Sequence, residues 1–343
     1  MDSTSNTIEY DAVVKFLMDV GARVRDHVRQ SLIHQSISER SNVVEECDED
    51  TIFQIDRDVE SIIAPLFEEH AGAFGGIVLI AEGLGEDGGV VFPHGTSESD
   101  AALRVMMDPI DGTRGIMYDK RSAFYLAGAA PNTGDEQTLR DIEAAVMVEL
   151  PTSRSYLSDS FWAVRGRGAH RITRDLFKNK DTQTKIAPSS AKTIIGGFGQ
   201  ISRFFPPAKE ILARIEDELV DAILPDKPVG KAVLFNDQYI SSGGQLYELL
   251  MGHDRFVADI RAVLYRMLAS QGKWTGMTCH PYDVCAHLIG LEAGIQITNI
   301  KGGELDPPMD TISDADWIGY ANASIRKEVE PVLQRLLREH GLM

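Results

Sequence analysis

The sequence has 343 residues, 43% hydrophobic and 25% charged, which is the composition of an ordinary globular protein. Its formal net charge of −18 comes from 34 basic and 52 acidic residues without a cluster of lysine and arginine, which argues against a nucleic-acid partner. No segment approaches the roughly 20 consecutive apolar residues that a membrane-spanning helix requires, so no membrane partner is expected.

Two further features of the composition predict where the protein works. The first 30 residues intersperse acidic and apolar side chains, and therefore lack the basic start and the apolar core of a secretory signal. The cysteines form an odd and sparse set, which predicts a reducing, cytoplasmic location. They are Cys47, Cys279 and Cys285.

The first third of the chain reads as two helices followed by strands. Apolar residues at three- and four-residue spacing predict a helix over 8–36. An acidic stretch over 45–50 follows, and a second amphipathic helix is predicted over 57–70 with Asp56 as its N-cap. Short apolar or alternating runs then predict five strands. They cover 77–81, 103–107, 123–129, 144–150 and 160–164.

The polar run 178–185 is the best candidate boundary, and it divides the chain into halves over 1–185 and 186–343. Beyond it the patterns predict a strand and three helices. The strand covers 193–199, and the helices cover 207–223, 282–293 and 325–340. The order of elements indicates a layered α+β and α/β sandwich, because helices are followed by a largely antiparallel sheet and then by mixed strands and helices.

The most informative segment is DPIDGT over 108–113, directly after the apolar run LRVMM. Asp108 and Asp111 at the end of a strand can bind hard cations through their oxygens. Gly112 allows a ligand to approach the backbone, and a helix beginning there would point N–H groups at an anion. A bare D-x-x-D-G is more often a solvated turn. The preceding strand, Pro109 and Thr113 favour a metal and phosphate site instead.

Two other acidic residues follow apolar patterns. Glu82 comes directly after the run 77–81, where a strand-end carboxylate is usually exposed to solvent. Asp283 stands in the first turn of the predicted helix over 282–293, where an acid usually complements the helix dipole. Neither residue would indicate a site by itself. An acidic enzyme that acts on phosphate esters would need cations in its active site, since like charges repel.

Together these three segments resemble the inositol monophosphatase superfamily, lithium-sensitive phosphatases that include bisphosphate nucleotidases and fructose-1,6-bisphosphatases. The family's D-P-[IL]-D-G-T is matched at 108–113, and its W-D-x-A-A…E-A-G-G by YDVCAHLIGLEAGI at 282–295. Its G-E-E is partly matched at 81–83. Further similarity in IDRDVE, FWAVRGRGA, SSGGQLYELLMG and ANASIRKEV extends the resemblance over most of the chain. The implied fold is the αβαβα sugar-phosphatase sandwich.

The resemblance implies that two or three Mg²⁺ ions bind between the two halves. Glu82, Asp108 and the Ile110 carbonyl would bind the first ion. Asp108, Asp111 and Asp283 would bind the second, more weakly held ion, which Li⁺ would replace. Asp56 would help to hold a third through water.

The same resemblance assigns the chemistry. Thr113 and Asp56 would activate water for in-line attack, and the N–H groups of Gly112 and Thr113 would bind phosphate oxygens. The substrate would contact a run of small residues, Ser242, Gly243 and Gly244. The implied function is a magnesium-dependent phosphomonoesterase acting on a small, soluble phosphate ester, with a homodimer as one candidate assembly.

The sequence departs from the family pattern at several positions. Gly83 replaces a usual glutamate, and an extra segment lies over 256–276. The acid that binds inositol hydroxyls, a few residues before the motif's aspartate, has no match at 276–278. The extra segment and its approach instead carry basic residues that could bind a second phosphate. They are Arg255, Arg261, Arg266 and Lys273.

These departures leave several alternatives open. Arg114 in DGTRG resembles the 3′,5′-bisphosphate nucleotidase branch, and the basic residues suit a fructose-1,6-bisphosphatase-type sugar bisphosphatase. A non-catalytic binding protein that keeps the fold is the alternative of another class. A zinc site is disfavoured by its spacing, although four candidate ligands lie close together in sequence. They are Cys279, His280, Cys285 and His287.

Overall fold

The computed structural model describes residues 8–46, 51–84, 89–134 and 136–343. Cys47 and most of the acidic stretch predicted over 45–50 lie outside these residues. The helices are α1 (Tyr10–His34), α2 (Ile37–Arg40), α3 (Gln54–His70), α4 (Thr113–Met117), α5 (Lys209–Ile223), α6 (Ser242–Leu250), α7 (Arg261–Ser270), α8 (His287–Glu292) and α9 (Ala323–Glu339). Short 3-10 turns cover Ala71–Phe74, Glu98–Asp100, Leu139–Asp141 and Tyr282–Val284.

The strands form a short hairpin, a large sheet and a smaller sheet. In chain order they are β1 (Val43–Glu46), β2 (Thr51–Phe53), β3 (Ile77–Ala81), β4 (Gly89–Phe92), β5 (Leu103–Asp111), β6 (Ala123–Pro131), β7 (Ala144–Leu150), β8 (Leu157–Val164), β9 (Ala169–Asp175), β10 (Lys180–Thr184), β11 (Phe198–Ile201), β12 (Asp254–Asp259), β13 (Gln296–Thr298) and β14 (Trp317–Tyr320). In the described residues the large sheet has the order β10-β9-β8-β7-β6-β5-β3-β4, and the smaller has β11-β12-β14-β13.

The large sheet is covered by helices on both faces, which explains why its central strands are buried throughout. Along β5, Val105 and Met107 face the core under α1 and α3, whereas Met106 faces the core under α6 and α8. The smaller sheet repeats this arrangement. Its Val257 packs toward α6 and α8, and its Phe256 packs toward α5, α7 and α9. The five layers confirm the predicted αβαβα sandwich.

Most predicted elements are confirmed, with shifted ends. The strand predicted over 144–150 is β7, and the helix predicted over 8–36 is α1. The helix predicted from 57 begins at Gln54, so Asp56 lies inside the helix and is not its N-cap. Asp56 is instead the third residue of α3, and its Oδ2 accepts from the Phe53 N–H at 3.0 Å. It thus caps the helix from inside.

The polar run 178–185, the candidate boundary, contains β10, an exposed edge strand of the large sheet. Two predictions need correction. The strand predicted over 193–199 begins only at Phe198, since Gly196 has a φ of +78° that breaks extended backbone. The helix predicted over 282–293 is split into the turn Tyr282–Val284 and α8.

The division into halves at 185 stays a prediction. Among the described helices, none has the length and apolar character needed to cross a membrane.

Asp254, at the start of β12, provides a test of stability against pH. Burial raises the pKa of Asp254 to about 7, and its ordinary value is 3.8. Between these values the folded protein holds a proton that the unfolded chain has lost, so stability falls as pH rises from 4 to 7. Asp254→Asn should remove this loss.

The variant should therefore be more stable than the wild type at pH 8, by about 1.4 kcal/mol for each unit of pKa shift. The difference should shrink below pH 6. Urea denaturation at pH 5.5 and 8 measures it, with Asp181→Asn in exposed β10 as the control. Equal stability of variant and wild type at pH 8 would mean that the folded state does not raise the pKa of Asp254.

Candidate metal centre

Two parallel strands bring the first two acidic residues together. β3 and β5 pair in parallel with Ala81 opposite Met107, so Glu82 and Asp108 follow at the same level of the sheet. Asp108 is only 1% exposed. Its Oδ1 accepts a hydrogen bond of 2.9 Å from the Ile110 N–H, which fixes the carboxylate at the strand end. After burial, the charge of Glu82 is the largest effect that raises the pKa of Asp108.

An irregularity in the strand pairing places the second aspartate. The register of β5 against β6 shifts between Asp108 and Asp111, so Pro109 and Ile110 form a bulge. Gly112 then adopts a φ of +95°, and a Cβ there would lie 3.1 Å from the Ser241 Cβ. Both conditions favour glycine, which turns the chain sharply into α4. The sequence DPIDGT therefore presents its two carboxylates on one side.

The third aspartate comes from the other half of the chain. Asp283 lies in the turn Tyr282–Val284, and its Oδ2 accepts from the His280 N–H at 2.6 Å. Oxygen atoms of Asp108, Asp111 and Asp283 all lie within 4.8 Å of one another, and in the described residues this is the metal-binding group found. The two predicted motifs thus meet at one point between the two sheets.

The electrostatics of this trio fit a divalent cation. Burial first, and then the neighbouring carboxylates, raise the pKa of Asp108 well above its usual range. Burial and Asp283 likewise raise the pKa of Asp111 to about 8, against hydrogen bonds that lower it. Buried like charges at this spacing are unfavourable unless protons or cations neutralise them. An all-oxygen donor set suits a hard ion such as Mg²⁺ rather than zinc.

Asp56 and Thr113 form the predicted pair beside the trio. The Thr113 hydroxyl oxygen lies 3.2 Å from Asp56 Oδ1 and 2.8 Å from the carbonyl oxygen of Ile110. Asp56 is held by its own cap on α3, and Thr113 is the first residue of α4. The hydroxyl can therefore pass a proton to a carboxylate that is fixed in place.

The residues predicted to contact the substrate lie beside Asp111. The side-chain oxygen of Ser241, the N-cap of α6, lies 2.8 Å from Asp111 Oδ2 and accepts from the Gly244 N–H at 2.8 Å. The Gly243 N–H also donates to Asp111 Oδ2. These backbone groups bind the protein itself, and substrate contact by Ser242, Gly243 and Gly244 stays a prediction. The sequence analysis did not predict that Ser241 caps α6 and contacts Asp111, although a serine before small helical residues is an N-cap signal.

The three arginines that the sequence suggested for binding a second phosphate are engaged within the protein. The Arg255 guanidinium donates to the carbonyls of Thr193 and Ile195 at 3.0 and 2.6 Å. Arg261 is buried in a bidentate pair with Asp259. The third, Arg266, forms ion pairs with two acids, Asp314 and Asp316. Each guanidinium already has protein partners, which sequence alone could not reveal.

An acid from outside 276–278, Asp259, lies on this side of the site. Asp259 ends β12 and is 1% exposed. Burial is the main cause that raises the pKa of Asp283, and the charge of Asp259 adds to it. The carboxylate of Asp259 is neutralised by Arg261 and is therefore not a free acid for substrate hydroxyls. Among the described residues, the group of possible metal ligands does not include the four residues considered for zinc, Cys279, His280, Cys285 and His287. Cys279 and Cys285 are free and buried.

Comparison with known proteins identifies the fold. No protein-family model matches the chain, and no curated protein matches it in sequence. Solved structures do match. They include the extragenic suppressor protein SuhB from Bartonella henselae (TM-score 0.62, 17% identity, covering 94% of this chain and 98% of that one) and Leishmania major fructose-1,6-bisphosphatase in holo form (TM-score 0.64, 12% identity, 97% and 99%). A Thermotoga maritima IMPase also matches (TM-score 0.56, 17% identity, 96% and 98%).

The predicted resemblance is thereby confirmed at the level of the fold. Each alignment covers nearly the whole of both chains. At identities below 25%, the similarity defines the architecture and leaves the activity to be argued from the site.

Proposed function

We propose that this protein is a magnesium-dependent phosphomonoesterase that hydrolyses a small, soluble phosphate ester. The observation that carries the proposal is the convergence of Asp108, Asp111 and Asp283 within 4.8 Å beside the Asp56–Thr113 pair. A non-catalytic binding protein would have no chemical need for this set. A cytoplasmic location, sensitivity to lithium and a homodimer belong to the same proposal.

The proposal gives each residue of the site a role. Glu82, Asp108, Asp111, Asp283 and the Ile110 carbonyl would hold the magnesium. When bound, magnesium neutralises the phosphate charge and makes a coordinated water more acidic. Phosphoryl transfer needs this positioning and charge neutralisation more than covalent catalysis.

The proton path runs through Thr113 and Asp56. The hydroxyl of Thr113 accepts a proton from the attacking water and passes its own proton to Asp56 Oδ1, 3.2 Å away. The water oxygen forms a bond to phosphorus as the ester P–O bond breaks in line. The leaving oxygen takes up a proton from solvent and Asp56 returns its proton to solvent, so the products are inorganic phosphate and an alcohol. The N–H groups of Gly112 and Thr113 would bind the phosphate oxygens.

Activity assays with and without divalent metal test the proposal. We expect exhaustive chelation to abolish hydrolysis of a generic phosphate ester and added Mg²⁺ to restore it, because the uncompensated carboxylates repel each other and the substrate. Circular dichroism before and after chelation controls for unfolding. Turnover that survives chelation would contradict the mechanism. A protein that binds phosphate with Mg²⁺ but hydrolyses no ester would support the binding-protein alternative.

The alternatives that act on a nucleotide or sugar bisphosphate rested partly on arginines that could bind a second phosphate, and the structure weakens that argument. Arg255, Arg261 and Arg266 are engaged within the protein, whereas exposed Lys273 and Arg114 still stand near the site in sequence. The Arg114 guanidinium lies 5.4 Å from the centre of the Phe53 ring. Nucleotide bisphosphates therefore belong in the same substrate panel, without a structural preference for them.

A further inference from the structure

Three segments of the chain meet on the side of the site that holds Asp283. The Arg261 guanidinium donates to the Met277 carbonyl at 2.9 Å, and it lies 4.5 Å from the centre of the Phe204 ring. Two residues after Met277, the Cys279 sulfur lies 3.5 Å from the Ser242 hydroxyl, at the start of α6. Ser242 directly precedes Gly243, whose N–H donates to Asp111. These contacts connect the loop containing Phe204 to one border of the candidate metal centre.

This border is electrically neutral and aromatic. Asp259 and Arg261 are 1% and 4% exposed, and two of the guanidinium nitrogens bind the one carboxylate at 2.6–2.8 Å. Their charges cancel, so the pair cannot attract a second anionic group. The guanidinium is stacked beneath Phe204 and lies 5.4 Å from the Phe205 ring. Both rings are half-buried, and the exposed part of each is apolar surface.

The aromatic loop is held in place by several contacts. The Arg203 N–H donates to Gln238 Oε1 at 2.8 Å, and its guanidinium pairs with Glu216 at 2.6 Å. The Tyr265 hydroxyl donates to the Phe205 carbonyl at 3.4 Å. The backbone at Gly276 packs so closely that a Cβ would lie 2.5 Å from the Pro206 carbonyl oxygen. A rigid aromatic surface binds a planar ligand at low entropic cost.

The geometry points to Phe204 and Phe205 as the surface that selects the leaving group, with a planar unsaturated ring, such as a nucleobase, as the group selected. This inference rests on the proposed phosphatase function and names its substrate class. Stacking recognises the face of a ring and tolerates many ring structures, because every such ring has a π-face. The substrate is accordingly a monophosphate ester whose alcohol carries a planar ring, rather than a bare polyol or a bisphosphate.

Adenosine 5′-monophosphate and ribose 5-phosphate form a matched pair for the test, since both esters release a sugar hydroxyl and only one carries a base. We expect kcat/KM for the nucleotide to exceed that for the sugar phosphate by about tenfold or more. Phe204→Leu keeps an apolar side chain without the π-face, and should reduce this ratio toward one by lowering kcat/KM for the nucleotide. Phe205→Leu is the second variant if the first does not fold.

Phe177→Leu is the control, because Phe177 is 84% exposed between β9 and β10 in the large sheet. A wild-type ratio near one, or a ratio that both loop variants preserve, would overturn the inference and leave the phosphatase proposal intact. If no ester is hydrolysed, the phosphatase proposal fails. The ratio of the two dissociation constants, measured by calorimetry with Mg²⁺ on wild type and Phe204→Leu, then decides the inference by the same criteria.

Discussion

Asp108→Asn is expected to lower kcat by several orders of magnitude without lowering the melting temperature of the metal-free protein. Asp108 belongs to the oxygen trio that would hold magnesium, and an amide is a much poorer ligand for a hard cation than a carboxylate. The amide oxygen can still accept from the Ile110 N–H, so the local fold is kept. Without metal, burial and the neighbouring acids raise the pKa of Asp108, and its ionisation therefore destabilises the folded state as pH rises.

Calorimetric melting of both proteins in chelator at pH 8, together with kcat in Mg²⁺, gives the comparison. Asp100→Asn serves as the control, since Asp100 is an exposed residue whose carboxylate accepts from Ser97 near the start of the same strand. The variant should also lose the rise in melting temperature that Mg²⁺ gives to the wild type. Near-normal turnover by Asp108→Asn would show that the trio is not the catalytic metal site.

Thr113→Val should reduce kcat by about 10²–10⁴, the range for loss of general acid–base catalysis. Valine fills the same volume but removes the oxygen that links Ile110 and Asp56. Because the metal ligands are untouched, the concentration of Mg²⁺ needed for half-maximal activity should change little. Thr113→Ser keeps the hydroxyl and should retain most of the activity.

A rate measurement over pH 6–9 on all three proteins separates chemistry from structure. If Thr113 only stabilises α4, serine and valine variants should lose stability and activity in parallel. A valine variant with normal kcat would remove Thr113 and Asp56 from the proton path. The water would then be deprotonated by another group.

The sequence predicted the centre of the site well, because its physical signals are local. The strand is indicated by a short apolar run, and the run is followed by a proline between two acids and by a glycine that is free to adopt positive φ. These signals placed Asp108 and Asp111, and the resemblance to a known family added Glu82 and Asp283. β7 was predicted with its observed bounds for a similar reason, since its apolar residues are continuous between polar turns.

The errors concern features that depend on long-range contacts. β10 was not predicted as a strand, because its exposed residues are polar and show no apolar pattern. The arginines of the extra segment looked available for phosphate, since the spacing of residues does not reveal that Asp259 faces Arg261 or that Arg255 faces a distant backbone. The loop at Phe204 has no sequence signal at all and acquires its significance only from the guanidinium beneath it.

The pairing of Asp111 with the start of α6 has a consequence for synthesis on the ribosome. A growing chain completes β5 long before Ser241, Gly243 and Asp283 emerge, so the acidic edge of the first sheet stays incomplete for much of translation. Contacts between such distant segments form late, because the entropy of closing the intervening chain must be overcome first. The hydrogen bonds of Ser241 and Gly243 to Asp111 then join the sheets and orient a metal ligand in the same event. Catalytic competence should therefore appear abruptly near chain completion, and nascent fragments should be inert toward phosphate esters.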